Sequence, residues 1–299
     1  MLSYDVVDVF TDRAFAGNPL AVVHGADALE DAQLLAIARE FNLSETTFPA
    51  AVEEGATGYG VRIFTPGGEI PFAGHPTLGT AWVLHQHGRL AAGTVVQRCG
   101  AGDIEVQVPD DPSGRVRLRA TPRDLSDPLD GEAVAKGVGL SGDDVVGEAR
   151  VAGCGLSWVH LPVQVDALAR CRPSAGIESV LQRSEGDPVA GVNVFAVDGG
   201  TDSGAGDLSV RSRVFCPDVG VAEDPATGSA AVGLGIVLAA SGLLPDGGDY
   251  TIRQGVEMGR PSTLFGHVDA EQGRATGCEV GGGVVSCAAG SLAVPDLRA

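Results

Sequence analysis

The sequence has little positive charge. Its 299 residues include 39 acidic side chains against 20 lysines and arginines, and Lys136 is the only lysine. A chain with a net charge of −19 lacks the basic surface that would hold a phosphate backbone or an anionic membrane. The composition therefore argues against nucleic acid and a membrane surface as partners.

Signals for export are missing as well. Residues 1–8 carry charges and do not form a basic segment followed by an apolar one. The six cysteines are scattered without a C-x-x-C spacing, in a chain too long to need disulfides for stability. Residues 225–245 carry no charge but are rich in Gly and Ala, which favours a buried helix over a membrane span. These features predict a cytoplasmic protein with reduced cysteines.

Cofactor signals are weak. His85 and His87 are two residues apart near a predicted helix end and cannot face one metal ion, and no other zinc or iron ligand spacing is present. Residues 137–142 match G-x-G-x-x-G, but no clear strand precedes them, and Ser141 with Asp144 fits a capping box. We therefore expect no metal and no dinucleotide cofactor.

The hydrophobic pattern predicts short strands with few helices, which is typical of the α+β class. A helix is expected over 30–41, closed by Asn42. The sequence predicts an N-terminal lobe, 1–120, and a C-terminal lobe, 121–285, whose polar first part, 121–150, connects the two halves. The strand at about 286–299 is a candidate to complete the first lobe. Strands are predicted at 4–10, 103–108, 115–120, 157–163, 191–197, 208–215, 250–254, 263–268 and 284–295.

An internal repeat is the most informative feature. Residues 62–66 (RIFTP) are followed by 75–81 (HPTLGTA), and residues 213–217 (RVFCP) are followed by 224–230 (DPATGSA). Each copy leads into an apolar helical stretch, and the two elements come in the same order with similar spacing. The repeat predicts a duplicated, two-lobe architecture.

The repeat also suggests a binding site. Proline fits a helix start, so each copy is expected to place a helix N-terminus just after an ionisable residue, His75 or Asp224, with Asp224 as N-cap and Pro225 as the first helical residue. If a pseudo-twofold axis brings the lobes face to face, both positive helix ends would hold a small carboxylate without Lys or Arg.

Four blocks give the chain a specific resemblance. Residues 42–48 (NLSETTF), 64–79 (FTPGGEIPFAGHPTLG), 223–230 (EDPATGSA) and 253–262 (RQGVEMGRPS) resemble the signature blocks of the phenazine-biosynthesis PhzF-like family. The resemblance implies an α+β, diaminopimelate epimerase-like fold, with two pseudo-symmetric lobes, each a curved, mostly antiparallel sheet around a central helix. It also implies a cofactor-independent, usually homodimeric isomerase.

The resemblance implies roles for individual residues. Glu45 matches the family's principal acid/base, His75 and Asp224 match its catalytic partners, and Ser229 matches a residue that contacts the substrate. Gly74 and Gly228 would bring backbone close to the substrate carboxylate. Related epimerases use two cysteines at the starts of the two helices, but this chain has none there.

Three functions stay open at this point. The first is a PhzF-like isomerase, similar to the family prototype, which moves a hydrogen from C3 to C1 of trans-2,3-dihydro-3-hydroxyanthranilate. The second is an epimerase or racemase of an amino-acid-like metabolite without catalytic cysteines, and the third is a non-catalytic metabolite-binding protein.

Overall fold

The computed structural model describes residues 1–174, 176–182, 189–198, 208–217 and 221–296. The chain divides into two compact units, one formed by Met1–Leu118 with Gly281–Ala299 and the other by Arg119–Val280. Among the described residues, no helix is both long and apolar enough to cross a membrane. All six cysteines are free thiols.

In the first unit, a sheet with the strand order β17-β1-β2-β3-β4-β6-β7-β8 is antiparallel except for the pairs β2–β3 and β4–β6, and β5 adds to β4. Helix α1, Asp31–Phe41, joins β2 to β3, and α2, Gly74–Gln86, follows β5. The strands are β1 Leu2–Val9, β2 Asn18–His24, β3 Glu45–Pro49, β4 Gly58–Thr65, β5 Gly68–Ile70, β6 Gly93–Cys99, β7 Gly102–Val108, β8 Val116–Ala120 and β17 Val284–Leu292.

The second unit has a similar sheet, in the order β9-β10-β11-β12-β14-β15, with β13 on β12. Its helices are α3, Gly131–Gly137, α4, Ile177–Gln182, and α5, Gly228–Ala240, and short 3-10 helices lie at Gly142–Asp144 and Val165–Arg170. The strands are β9 Arg150–Cys154, β10 Leu156–Pro162, β11 Val189–Val197, β12 Leu208–Cys216, β13 Val221–Asp224, β14 Gly248–Gln254, β15 Ser262–Glu271 and β16 Arg274–Gly282.

The internal repeat extends to the strand pairing. Along β1-β2-β3-β4-β6-β7 the pairs run antiparallel, parallel, antiparallel, parallel, antiparallel, and the same alternation is found along β9-β10-β11-β12-β14-β15. In both copies an antiparallel pair of strands, β4–β5 or β12–β13, leads into a helix of 13 residues. The duplication inferred from two short motifs therefore covers most of each unit.

Each of these two helices is the centre of its unit. Helix α2 packs on β1, β2, β3, β7 and β17, and α5 packs on β9, β10 and β15. The sixth residue of each helix is a glycine in close contact with its sheet. A Cβ at Gly79 would lie 2.6 Å from Leu20 Cδ2, and one at Gly233 would lie 2.9 Å from the carbonyl oxygen of Ala152, so neither position has room for a side chain.

The structure corrects the register of the repeat. The letters of the repeat align His75 with Asp224, but α2 begins at Gly74 and α5 begins at Gly228. With the helices superposed by their starts, His75 corresponds to Ser229 and Gly79 corresponds to Gly233. Asp224 then precedes its helix and corresponds to Ile70.

The predicted elements are otherwise confirmed. The helix over 30–41 is found at Asp31–Phe41, and Asn42 closes it in the left-handed conformation with φ of 50°. Every predicted strand coincides with an observed one within a few residues, although the last ends at Leu292. The uncharged segment 225–245 contains the buried α5, and the Ser141–Asp144 capping box opens a 3-10 helix. Of the predicted C-terminal strand, residues 297–299 lie outside the described part of the chain.

Candidate active site

Glu45 is held at the first position of β3. This strand is parallel to β2, where Leu20 is the partner of Glu45 in the register. The preceding hydroxyl, Ser44 Oγ, donates a hydrogen bond to Oδ1 of the buried Asn18 at 3.4 Å. The Glu45 side chain is only 17% exposed, so the carboxylate at the start of β3 is mostly removed from water.

Glu45 and His75 lie close together. Oε2 of Glu45 is 3.6 Å from Nε2 of His75, whose side chain is buried in the first turn of α2. Oε2 itself is shielded from solvent and has no hydrogen-bond partner among the described residues. An acceptor atom in this state has capacity left for a proton or a substrate group.

Burial raises the pKa of Glu45 above its ordinary value of 4.5, and the polar Ser44 side chain beside it opposes the shift. The direction follows from the loss of hydration, because the charged carboxylate loses more solvation than the neutral acid does. A carboxylate with a raised pKa is a stronger base than a surface glutamate, and the protonated group loses its proton only at a higher pH. This property suits a group that both removes and returns a proton.

The raised pKa predicts a pH-dependent stability change for Glu45→Gln. The folded protein keeps the Glu45 proton at pH values where the unfolded chain has lost it, so stability is lost as the pH rises from 4.5 through the folded-state pKa. We therefore expect the variant to gain thermal stability over the wild type at about pH 8 and to gain less at about pH 5. Calorimetry at both pH values measures the difference, with the exposed Glu54→Gln as control. An equal gain at both values would contradict the pKa shift.

A buried polar network holds the start of α2. Tyr59 donates its hydroxyl proton to Oε1 of Gln97 at 2.8 Å, and Nε2 of Gln97 donates to Oγ1 of Thr77 at 2.9 Å. The Thr77 hydroxyl in turn donates to the carbonyl of Ala73, the N-cap residue, at 2.8 Å. Since His75 lies between Ala73 and Thr77, the network fixes the turn that carries the histidine.

The prediction that Asp224 is the N-cap of α5 is wrong. Thr227 is the N-cap, and Asp224 is the last residue of β13. The residue before a proline is disfavoured in the helical region, so Pro225 keeps Asp224 in extended structure. The Thr227 hydroxyl donates to Oδ2 of Asp224, and Nε2 of Gln254 donates to the Asp224 carbonyl at 2.8 Å. Asp224 is thus oriented by two neighbours rather than by the helix.

Ser229 is the second residue of α5 and accepts a hydrogen bond at Oγ from the indole of Trp158 at 3.1 Å. The Trp158 ring packs against Val214, Cys216 and Ala230. Its indole N–H also sets the direction of the Ser229 hydroxyl. Nothing in the local sequence of β10 signals this contact, because the two residues are 71 positions apart.

Each unit anchors the approach to its central helix with an arginine. Arg62 forms a bidentate ion pair with Glu69, with N–O distances of 2.8 and 2.5 Å. Arg213 forms a bidentate ion pair with Glu223, with distances of 2.8 and 2.7 Å. Both guanidinium groups also lie 5.1 Å from the ring centre of the phenylalanine two residues on. The R-x-F motif therefore makes the same two contacts, with a glutamate and with its own phenylalanine, in both units.

None of the six candidate residues belongs to a metal-ligand cluster. Within the described part of the chain, three ligating side chains converge elsewhere, at Asp5, His24 and His87.

Comparison with known proteins agrees with this fold. The sequence profile of the phenazine biosynthesis-like protein family matches residues 7–290. The chain is 35% identical to trans-2,3-dihydro-3-hydroxyanthranilate isomerase of Pseudomonas fluorescens over 98% of this chain and 99% of that protein. A PhzF-family phenazine biosynthesis protein of Bacillus anthracis matches with a TM-score of 0.84 at 24% identity, covering 98% of this chain and 99% of that one. A probable proline racemase of Agrobacterium radiobacter matches at 0.65 and 14% identity, covering 100% and 94%.

These findings define an isomerase with the diaminopimelate epimerase-like α+β fold. The chain belongs to the phenazine biosynthesis-like, or PhzF, family.

Proposed function

We propose that this isomerase moves a proton on a small, carboxylate-bearing substrate, with Glu45 as the group that removes and returns it. The observation that supports this most directly is the buried Glu45 carboxylate, 3.6 Å from His75 and with a raised pKa. A surface glutamate would have an ordinary pKa and would gain no basicity from its surroundings. Acid/base groups tuned in this way recur in enzymes that transfer protons near neutral pH.

The other candidate residues are assigned to substrate binding and charge stabilisation. Gly74 and Gly228 begin the two central helices, and the cap residues Ala73 and Thr227 make no side-chain hydrogen bond to the first turn. Helix starts of this kind favour a carboxylate. We assign the Ser229 hydroxyl, oriented by Trp158, to contact with the same substrate, and we assign Asp224 to catalysis together with Glu45 and His75.

The proposed reaction balances without a cofactor. Ionised Glu45 takes a proton from a carbon next to an unsaturated system, and the electron pair left behind spreads into that system. His75 and backbone N–H groups stabilise the developing negative charge. Glu45, now protonated, returns the proton to another carbon, the double bond shifts, and the carboxylate is regenerated. Tautomerism of the product completes the change.

Relatives suggest the substrate class. A relative 35% identical to this chain carries the name trans-2,3-dihydro-3-hydroxyanthranilate isomerase, so we propose a cyclic, unsaturated amino acid of that kind as substrate. We also propose that the enzyme works in the cytoplasm as a homodimer, as the family resemblance implies.

Incubation in D₂O tests the proposal and separates the alternatives. With trans-2,3-dihydro-3-hydroxyanthranilate, we expect the NMR spectrum to show a shifted double bond in the product. Deuterium exchange at the α-carbon of an amino acid such as proline, without a double-bond shift, would favour the epimerase alternative. Binding of either compound with no exchange and no turnover would overturn the proposal in favour of a binding protein.

A further inference from the structure

Two histidines and one carboxylate converge at the end of the first unit opposite the start of α2. Nε2 of His24 is 2.8 Å from Oδ2 of Asp5, and Nε2 of His87 is 3.4 Å from the same oxygen. The two imidazole rings lie side by side, with their centres 5.2 Å apart. One ligating atom from each of the three residues lies within 4.8 Å of the others.

The fold creates this cluster from three separate elements. Asp5 is on β1 and His24 is the last residue of β2, where it pairs with Ser3 in the antiparallel register. Ser3 and Asp5 are two residues apart and therefore share a face of the sheet with His24. Helix α2 covers the same face, and its C-cap residue is His87. His85, two residues before His87, takes no part in the cluster, since its Nδ1 lies 2.9 Å from the carbonyl oxygen of Leu90.

We propose that Asp5, His24 and His87 form a binding site for a divalent transition-metal ion, with Zn²⁺ as the best match. Two imidazoles and a carboxylate are a common ligand set for zinc, with a fourth position left to water. Tetrahedral coordination at normal bond lengths separates the ligand atoms by about 3.3 Å, close to the His87–Asp5 distance already present. The His87 side chain is 45% exposed, so an ion can enter from solvent and the His87 imidazole can move to close around it.

A metal at this position would tie the C-terminal end of α2 to the β1–β2 pair. The opposite end of the same helix carries His75, so the ion would brace the element on which the candidate acid/base pair depends. The proposed site takes no part in the reaction, and it stands or falls independently of the proposed function.

Metal titration of tag-free protein tests the site. Calorimetry with Zn²⁺ and absorption spectra with Co²⁺ are expected to show one site, a tetrahedral or five-coordinate cobalt spectrum, and no thiolate-to-cobalt charge-transfer band. Asp5→Asn, His24→Gln and His87→Gln are each expected to weaken binding at least about tenfold. Zn²⁺ is also expected to raise the melting temperature of the wild type but not of these variants.

Two histidine variants serve as matched controls. His85→Gln changes the same helix end without touching the cluster. His267→Gln removes a histidine whose two ring nitrogens face different carboxylates, Asp249 and Asp269, and so cannot gather them around one ion. Both variants are expected to bind Zn²⁺ like the wild type, and melting curves without metal confirm that all variants fold. No Zn²⁺ binding by the wild type, unchanged binding by His87→Gln, or a thiolate band with cobalt would each overturn the proposal.

Discussion

Glu45→Gln is expected to lower kcat by about 10²–10⁴-fold or more, the usual contribution of a well-placed acid/base group. Glutamine keeps the size and the hydrogen-bonding oxygen of the side chain but cannot take up a proton at neutral pH. Because the amide carries no charge to desolvate, the variant is expected to fold at least as well as the wild type. Steady-state kinetics on the substrate found in the D₂O experiment measure the effect.

Glu54→Gln is the control for this experiment. Glu54 is exposed and lies nine residues further along the chain, so its replacement makes the same chemical change in open solvent. We expect kcat and KM of this variant to match those of the wild type. Near-native turnover by Glu45→Gln would show that another residue moves the proton.

Arg213→Met is expected to lower the free energy of unfolding by about 3–5 kcal/mol, whereas Arg62→Met is expected to lower it by no more than about 1 kcal/mol. The two arginines occupy equivalent places in the repeat and make the same bidentate ion pair. Arg213 is 5% exposed and also donates to the carbonyls of Leu168 and Cys171, while Arg62 is 38% exposed. Removing Arg213 leaves the half-buried Glu223 without its counter-ion.

Urea unfolding of the two variants and the wild type, followed by circular dichroism, measures this difference. The two variants carry the same substitution in the same protein, one at a buried arginine and the other at an exposed arginine. Equal losses in the two variants would mean that burial does not decide the strength of these pairs, and the interpretation of the repeat as two differently buried anchors would be wrong.

The sequence was enough to predict the duplication but not its register. Two proline motifs, at Pro76 and Pro225, matched in letters, and that match paired His75 with Asp224. In the structure the equivalent positions are instead the helix starts, Gly74 and Gly228. The buried glycines at 79 and 233 then also coincide, and each faces its own sheet. Close packing that depends on a missing side chain leaves no periodic pattern in the sequence, so letter matching could not find it.

Contacts between distant parts of the chain account for the rest of what the sequence did not predict. The hydrogen bond from Trp158 to Ser229 and the cluster of Asp5, His24 and His87 join elements that are far apart in sequence. Strand pairing and helix packing create these contacts, and neither spacing nor composition records them. Glu45, by contrast, was selected by its signature block, and the structure adds the buried setting that gives it chemical meaning.

The repeat also explains why the proposed acid/base chemistry is asymmetric. Glu45 precedes Thr46, the partner of Phe64 in the sheet. In the second unit the partner of the equivalent Phe215 is Val192, so the position of Glu45 is taken by Gly191. The two copies kept the same strand pairing and the same central helix, but only the first has an ionisable residue at this position. One carboxylate that both removes and returns a proton fits this arrangement better than a symmetric pair of acids and bases does.

The fate of a labelled hydrogen tests the role of Glu45 most directly. The substrate is prepared with deuterium at the carbon that loses its hydrogen, and mass spectrometry follows the label with wild type and with Glu45→Gln. We predict that the wild type removes the label from that carbon and that the variant leaves it in place over the same period. Removal of the label by Glu45→Gln at the wild-type rate would contradict the account.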